Sequence, residues 1–352
     1  MSFPKFYVIT LFISLCQALS AQVEINAQSQ LRVACERALP SVVTIETRIQ
    51  SPSERTSQRK RIISETGIGF ALMCGKQTAI VTNYHVVANV PLNSILLTLH
   101  DLQFTRPTKI IASEEFDVAV LLTDTELIPV TIGDSDTVEV TDAVLSIGNP
   151  FGLRESVSAG IISAKNRLSL PSGNQKLPLQ GFFQTDAQIN PGNSGGPLLT
   201  TDGKVIGMVT AIASAGGQNE GIAFAIPINS IVKIATQLLE NGFVVRPQIG
   251  LELDTDFDLE ARIKAGFRRI VGTRVKNVVP NGAAYAAGML SGDIITHVGK
   301  TEVLSDEHFI QLVARSAVGS KLDIEIIRKG QMLRCQPTVS SINVQGKVTL
   351  PE

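Results

Sequence analysis

A chain of 352 residues exceeds what a single hydrophobic core usually serves, so two domains are expected. Apolar residues make up 44% and charged residues 18%, and the formal net charge of −1 gives no footprint for a nucleic-acid partner. No tryptophan and only 5% aromatic residues argue against a base-stacking surface.

The first 21 residues stand apart. Lys5 precedes the apolar run "FYVITLFISLCQALSA", Phe6 to Ala21, which ends in small residues. A basic start, a short apolar middle and a small-residue exit describe a secretory signal, cut after Ser20 or Ala21, or a retained signal anchor. Cys16 does not read as a lipoprotein site, because bulky Leu15 stands where a small residue is needed. The expected location is a bacterial periplasm, either soluble or tethered to the inner membrane. Cys35, Cys74 and Cys335 are scattered, with no CxxC spacing, so no zinc site or disulfide framework follows. Buried free thiols are expected; a Cys35–Cys74 bridge stays open.

"AQSQLRVACERALP" has helical spacing at Leu31, Ala34, Cys35 and Ala38 and stops at Pro40. "SVVTIETRI" is a strand, and the polar, basic "QSPSERTSQRKR", around Arg55, is a loop. Short Val/Ile/Thr-rich runs then recur with turns between them: "GIGFALM", "TAIVTNYHVV", "SILLTLHD", "KIIASE", "DVAVLL", "AVLSIGNP". A second set follows: "SAGIISA", "FFQTDA", "GGPLLT", "KVIGMVTAI", "GIAFAIP". That rhythm predicts two β-barrels or sheets side by side. "PINSIVKIATQLLENG" breaks it with a helix whose Ile231, Ala235, Leu238 and Leu239 share a face and whose stop is Gly242. From Arg246 a separate α+β module begins. It has strands at "QIGLEL", "VGTRVKNVV" and "LDIEIIRKG", and short helices at "NGAAYAAG" and "SDEHFIQLVARS", the latter capped by Ser305. The domains are therefore residues 1–21 (signal or anchor), 22–245, 246–341 and a C-terminal tail, 342–352.

"QINPGNSGGPLL" surrounds one hydroxyl, Ser194, with turn residues. A serine nucleophile needs a base, an orienting group behind the base and donors for the oxyanion. Of the four histidines, His297 and His308 lie in the C-terminal module and His100 sits in a hairpin turn. His85 is delivered where an apolar strand turns polar. Asp117 opens the apolar strand "DVAVLL", where a carboxylate needs a partner. His85, Asp117 and Ser194 occur in the chain order of chymotrypsin-like proteases. Gly192 and Gly195 permit backbone angles that can aim the Gly192 and Ser194 N–H groups at one point beside Oγ, and Gly196 allows close strand packing.

With "TNYHVV", "DVAVL", "SIGNPFG", "SAGIISA", "QTDAQINPGNSGGPLL" and "GIAFAIP" in this order, the chain resembles the HtrA family of serine proteases, the DegP/DegS family, from about Leu31 to Pro247. The resemblance implies a mainly β fold: a chymotrypsin-like double β-barrel followed by an α+β PDZ domain, trimeric through N-terminal segments. It implies a catalytic triad of His85, Asp117 and Ser194, with an oxyanion hole at Gly192, Asn193 and Ser194. The C-terminal module resembles a PDZ domain. There the backbone at Ile249, Gly250 and Leu251 would hold a peptide's C-terminal carboxylate, with Phe309 and Leu312 lining the groove and His308 either facing the ligand or exposed. A single PDZ unit and a short loop near Arg55 resemble the DegS-type branch, which senses misfolded proteins. Arg167 occupies the place of an activation-relay arginine there. Ile68 departs from the family's "GSG", which puts the local hydrogen bonding in question.

The implied activity is a PDZ-regulated serine endopeptidase of the cell envelope acting on misfolded or regulatory proteins, with no cofactor or metal. Its specificity pocket would lie near Ile189, Asn190 and Ala211 to Ala213, which hold no Asp to attract a basic side chain, so small aliphatic residues before the cut are expected. The partners are polypeptide substrates, C-terminal peptides at the PDZ unit and further copies of the chain. The competing class is a proteolytically inactive PDZ-bearing chaperone or scaffold.

Overall fold

The computed structural model describes residues 30–50, 62–149, 155–167, 181–212, 221–264, 266, 268–269 and 271–350. The signal or anchor and the loop around Arg55 lie outside them, and so does Ala213 of the expected specificity pocket. Among the described residues no helix is long and apolar enough to cross a membrane.

Residues 30–38 form helix α1, which buries Ala34 and Ala38 as its spacing predicts. Seven strands of the first set follow: β1 (Val42–Gln50), β2 (Ile62–Cys74), β3 (Gln77–Thr82), β4 (Ile95–Leu99), β5 (Phe104–Thr105), β6 (Lys109–Ser113) and β7 (Val118–Leu122). They pair in the order β6-β7-β3-β2-β1-β4-β5. Both faces are covered. Ile110, Ala112, Ala119 and Leu121 enter one core, and Ile111, Val118 and Val120 enter another. Burial on alternate sides explains why "DVAVLL" has no polar stripe.

The second set, β8 (Ala143–Gly148), β9 (Ser156–Arg167), β10 (Phe182–Thr185), β11 (Pro197–Thr200), β12 (Val205–Ile212) and β13 (Ala223–Pro227), closes into a six-stranded barrel. One core cluster is shared between the two sets and helix α3 (Ile228–Asn241), whose Ile228, Ile231, Ile234, Ala235 and Leu238 are buried. Leu239, expected on that face, is only partly buried. Gly242 ends α3 at φ 75°, a left-handed angle that glycine takes without strain. Between β3 and β4 lies the short helix α2 (Tyr84–Val87).

The C-terminal module opens with β14 (Phe243–Gln248). It then has a sheet of β15 (Leu251–Leu253), β16 (Thr273–Val278), β17 (Ile294–Val298), β19 (Ile324–Arg328) and β20 (Gln331–Cys335), with β18 (Thr301–Glu302) paired to β17. Its helices are α4 (Leu259–Lys264), α5 (Ala283–Ala286) and α6 (Asp306–Ala314). Ser305 caps α6, its side chain accepting from His308 N–H at 3.2 Å, as expected. The segment 342–352, read above as a tail, carries the end of β21 (Ser340–Gln345), paired to β14, and all of β22 (Lys347–Thr349), paired to β6 at the edge of the first sheet. Cys35, Cys74 and Cys335 are free thiols. Burial pushes the Cys74 thiol up to about 12, which removes it from thiolate chemistry at neutral pH.

Candidate active site

Strand pairing brings the first two candidates together. β3 runs antiparallel to β7 with Thr82 opposite Ala119, so the residues just after β3 meet those just before β7. The chain turns at Asn83, which starts α2, and presents His85 to Asp117. His85 Nδ1 lies 2.9 Å from Asp117 Oδ2 and 3.0 Å from Oδ1, and the His85 amide donates to Oδ1 at 3.0 Å. Asp117 is 5% exposed, so a carboxylate there requires these donors. Its backbone is left-handed, at φ 48°, an uncommon angle for a residue with a side chain.

Two further residues belong to this network and were not singled out from sequence. Thr210 on β12 donates its hydroxyl to Asp117 Oδ2 at 2.7 Å. Asn83 Nδ2 donates to the Asp117 carbonyl at 3.2 Å and to Thr210 Oγ1 at 3.1 Å. Thr210 comes from the closed barrel and Asn83 from the first sheet, so the carboxylate is held from both sides of the seam. A lone Thr in "GMVTAI" has no motif spacing; only its polarity inside an apolar strand marks it.

Ser194 reaches the same seam through backbone contacts. Its carbonyl accepts from Ile68 N–H at 3.0 Å, Gly195 N–H donates to Val209 C=O at 2.8 Å, and Val209 N–H donates to Gly196 C=O at 2.9 Å. Gly195 has φ +84°, and a Cβ there would lie 2.0 Å from Ile68 O and 2.2 Å from Thr82 Oγ1. A Cβ on Gly196 would lie 2.3 Å from Ile147 O, which is the close packing expected of it. Ile68 keeps its backbone hydrogen bonds, since its carbonyl accepts from Thr82 Oγ1 at 2.6 Å, and its side chain fills the shared core. Ser194 is half-buried, and its hydroxyl donates to no described residue. Resting active sites often lack the hydrogen bond that tightens only with substrate.

Gly192, at φ 102°, and Ser194 donate their amides to no described residue. Asn193, the middle residue of the oxyanion stretch that the resemblance implies, differs: its amide donates to Asn190 C=O at 3.0 Å in a turn, so it is already engaged. Two amides beside one hydroxyl can receive an oxyanion. Ile189 is buried against Val209 and Ala223, beneath where the specificity pocket is expected.

The remaining candidates lie apart. Arg167 is exposed at the end of β9, where its Nε donates to Gln184 Oε1 at 2.9 Å. Its neighbour Asn166 accepts from Arg315 of the C-terminal module at 2.8 Å. In that module Ile249 C=O accepts from Ala284 N–H at 2.8 Å and Gly250 C=O from Val279 N–H at 3.0 Å. Both carbonyls turn into the module, and neither the Ile249 nor the Gly250 amide has a described acceptor. Leu251 begins β15 and pairs with Val278. Phe309 is a core residue, 3% exposed, rather than a groove-lining one, while Leu312 is partly buried. His308 is half-buried; its Nδ1 accepts from Leu304 N–H at 3.1 Å, and burial, then the Arg315 charge, lower its pKa. His100 pairs with Glu155 on the surface, at 2.5 Å.

Comparison with known proteins bears on the domains and the family. Residues 67–208 match the trypsin-like peptidase domain and residues 247–338 match the PDZ domain. A probable periplasmic serine endoprotease, DegP-like, of Chlamydia trachomatis is 35% identical over 300 residues, 85% of this chain, which spans 59% of that relative's length. A DegP-like relative of Pseudomonas putida is 31% identical over 358 residues, covering 93% of this chain and 72% of its own. Among solved structures, the HtrA-type protease AlgW with decapeptide superposes with a TM-score of 0.69 at 31% identity, over 89% of this chain and 98% of that one. With both domains matched in order and a relative matched along most of both chains, this chain belongs to the DegP-like, HtrA-type family of serine endoproteases.

Proposed function

We propose that this chain is a PDZ-regulated serine endopeptidase of the bacterial cell envelope, acting in protein quality control or stress signalling. Its protease unit spans 22–245 and its PDZ unit 246–341. Ser194 attacks the peptide carbonyl while His85 takes its proton and returns it to the leaving amine. Asp117 fixes the imidazole tautomer and stabilises the imidazolium. The Gly192 and Ser194 amides receive the oxyanion, and water then hydrolyses the acyl-enzyme.

The observation that carries this reading is the His85–Asp117 pair at 2.9 Å on a carboxylate 5% exposed, with the neighbouring strands β2 and β12 binding the Ser194 turn. The periplasmic names of the relatives support the envelope setting. The peptide in the AlgW structures supports polypeptide ligands. The free amides at Ile249 and Gly250 suit a peptide's C-terminal carboxylate, with Leu251 opening the strand on which the peptide adds. Trimer assembly, membrane tethering and the relay role of Arg167 are part of the same proposal.

The test is active-site labelling by a fluorophosphonate in the presence of a C-terminal activating peptide. Wild-type protein is expected to label and Ser194→Ala to stay unlabelled. Equal labelling of the two would return the chain to the inactive-scaffold class.

A further inference from the structure

The turn that presents Asp117 is held by two strands that flank the C-terminal module, β14 and β22. Residues 114–117 link β6 to β7, closed by Asp117 N–H donating to Glu114 C=O at 3.2 Å. A left-handed residue with a side chain costs about 1–2 kcal/mol, so such a turn keeps its shape only if its surroundings hold it. Its first two residues are both carboxylates, and each meets a cation from beyond the closed barrel. Glu115 Oε1 accepts from Arg246 Nη1 at 2.6 Å, and Arg246 lies on β14. Glu114 Oε2 accepts from Lys347 Nζ at 2.5 Å, and Lys347 opens β22. The same ammonium donates to Tyr84 Oη at 3.0 Å and sits 5.1 Å from the centre of that ring. Tyr84 immediately precedes His85. One lysine thus touches the chain beside both members of the His–Asp pair.

The backbone fixes where these cations stand. β22 is hydrogen-bonded along β6, with Lys347 opposite Ala112, Val348 opposite Ile111 and Thr349 opposite Ile110. One residue, Gly346, joins β22 to β21. Its N–H donates to Gly242 C=O at 2.8 Å, and a Cβ there would lie 2.7 Å from that oxygen and 3.0 Å from Leu238 Cδ2. The chain therefore passes from the module to the edge of the first sheet without slack. The Glu114 carboxylate, then the Tyr84 hydroxyl, raise the Lys347 pKa above its ordinary range. As an isolated surface pair, Lys347–Glu114 would contribute little to stability. Two pairs on successive residues of one strained turn can instead set its position.

We propose that Arg246 and Lys347 are positioning residues for the triad acid, carrying the placement of β14 and β22, the strands on either side of the C-terminal module, into the turn that presents Asp117. This rests on the reading of Asp117 as that acid.

The experiment uses the full chain carrying Arg246→Gln and Lys347→Gln, assayed on a short chromogenic peptide ester. The expected result is a fall in kcat of about three- to tenfold with little change in KM. The acid limb of the pH profile and the low-field proton resonance of His85 Nδ1–H should shift with it. The charge swap Glu115→Arg with Arg246→Glu should recover more kcat than either single change predicts. A kcat within about twofold of wild type, with the acid limb and the resonance unmoved, overturns the proposal. If the double variant melts early, Lys347→Gln alone, on the exposed side of the strand, is read by the same three measures. Asp117→Asn separates the two levels. If it turns over like wild type, the reading of the acid fails and this proposal falls with it. If it is inactive while the glutamine variants run at full rate, only the positioning role falls.

Discussion

The two halves of the candidate site are held by different means. Around Asp117 the contacts are side-chain contacts: His85 and Thr210 donate to the carboxylate, and Asn83 ties Thr210 to the Asp117 carbonyl. Around Ser194 they are backbone contacts, to Ile68 and Val209, and the hydroxyl donates to no described residue. The first half is a network of buried donors and acceptors in which turning His85, Thr210 or Asn83 away strands a buried partner, although Asn83 Oδ1 itself has none among the described residues. The second rests on glycine angles, φ 102° at Gly192 and φ 84° at Gly195, and among the described residues the Gly192–Asn193 peptide makes one hydrogen bond, from the Asn193 amide to Asn190 C=O. A two-state element is therefore expected at the Gly192–Asn193 peptide. The acid half should move only as one body.

The strongest way to break this contrast is Asp117→Asn. Asparagine tolerates left-handed backbone, so the turn should survive and the fold should be unchanged by circular dichroism. The imidazole loses the anion that fixes its tautomer, and kcat should fall by about 10⁴-fold on a peptide substrate. A loss of less than about tenfold would mean that Asp117 is not the orienting acid.

Gly195→Ala strikes the other half. The added Cβ meets the Ile68 carbonyl at 2.0 Å, a backbone atom that cannot step aside alone. The left-handed angle costs about 1–2 kcal/mol and the overpacking about 1–3 more. A lowered thermal midpoint is expected together with loss of fluorophosphonate labelling. Retained labelling would show that the turn has a second competent shape.

How much was legible in advance follows the same division. His85, Asp117 and Ser194 stand out because three residue types occur in a known order, His85 after an apolar strand, Asp117 at the start of one and Ser194 among turn residues. The glycines stand out because a turn needs them. Thr210 and Asn83 do not, since their partners are 93 and 34 residues away and no local spacing records it. The glycines at 192 and 195 point to the Gly192 and Ser194 amides; Asn193 enters only with the stretch that the resemblance implies, and its amide is consumed in the turn. Strand rhythm brings out the inner strands well, because burial on both faces leaves no polar positions. It misses β20 to β22, which are short, largely exposed and polar, and whose strand character comes from the partners they meet. The pairing of residues 347–349 to β6 is a long-range contact with no signature in either segment.

Thr210→Val sharpens the comparison at its finest. Valine has the shape of threonine without the hydroxyl, so it tests the hydrogen bond and not the packing. Thr210 is 3% exposed and Asp117 5%, so water cannot readily replace the missing donor. A buried charged acceptor left one partner short costs about 1–3 kcal/mol, to be read in denaturant unfolding. Activity should fall by less than in Asp117→Asn, because the two His85 donors remain on the carboxylate. Thr210→Ser is the control: it keeps the hydroxyl and gives up one methyl group, worth about 0.8 kcal/mol, so stability should drop slightly while kcat stays near wild type. Valine losing activity that serine retains would mean that the closed barrel acts on the His–Asp pair through this hydroxyl. Equal activity in the two would mean that the first sheet alone holds the acid, and that the seam matters only on the Ser194 side.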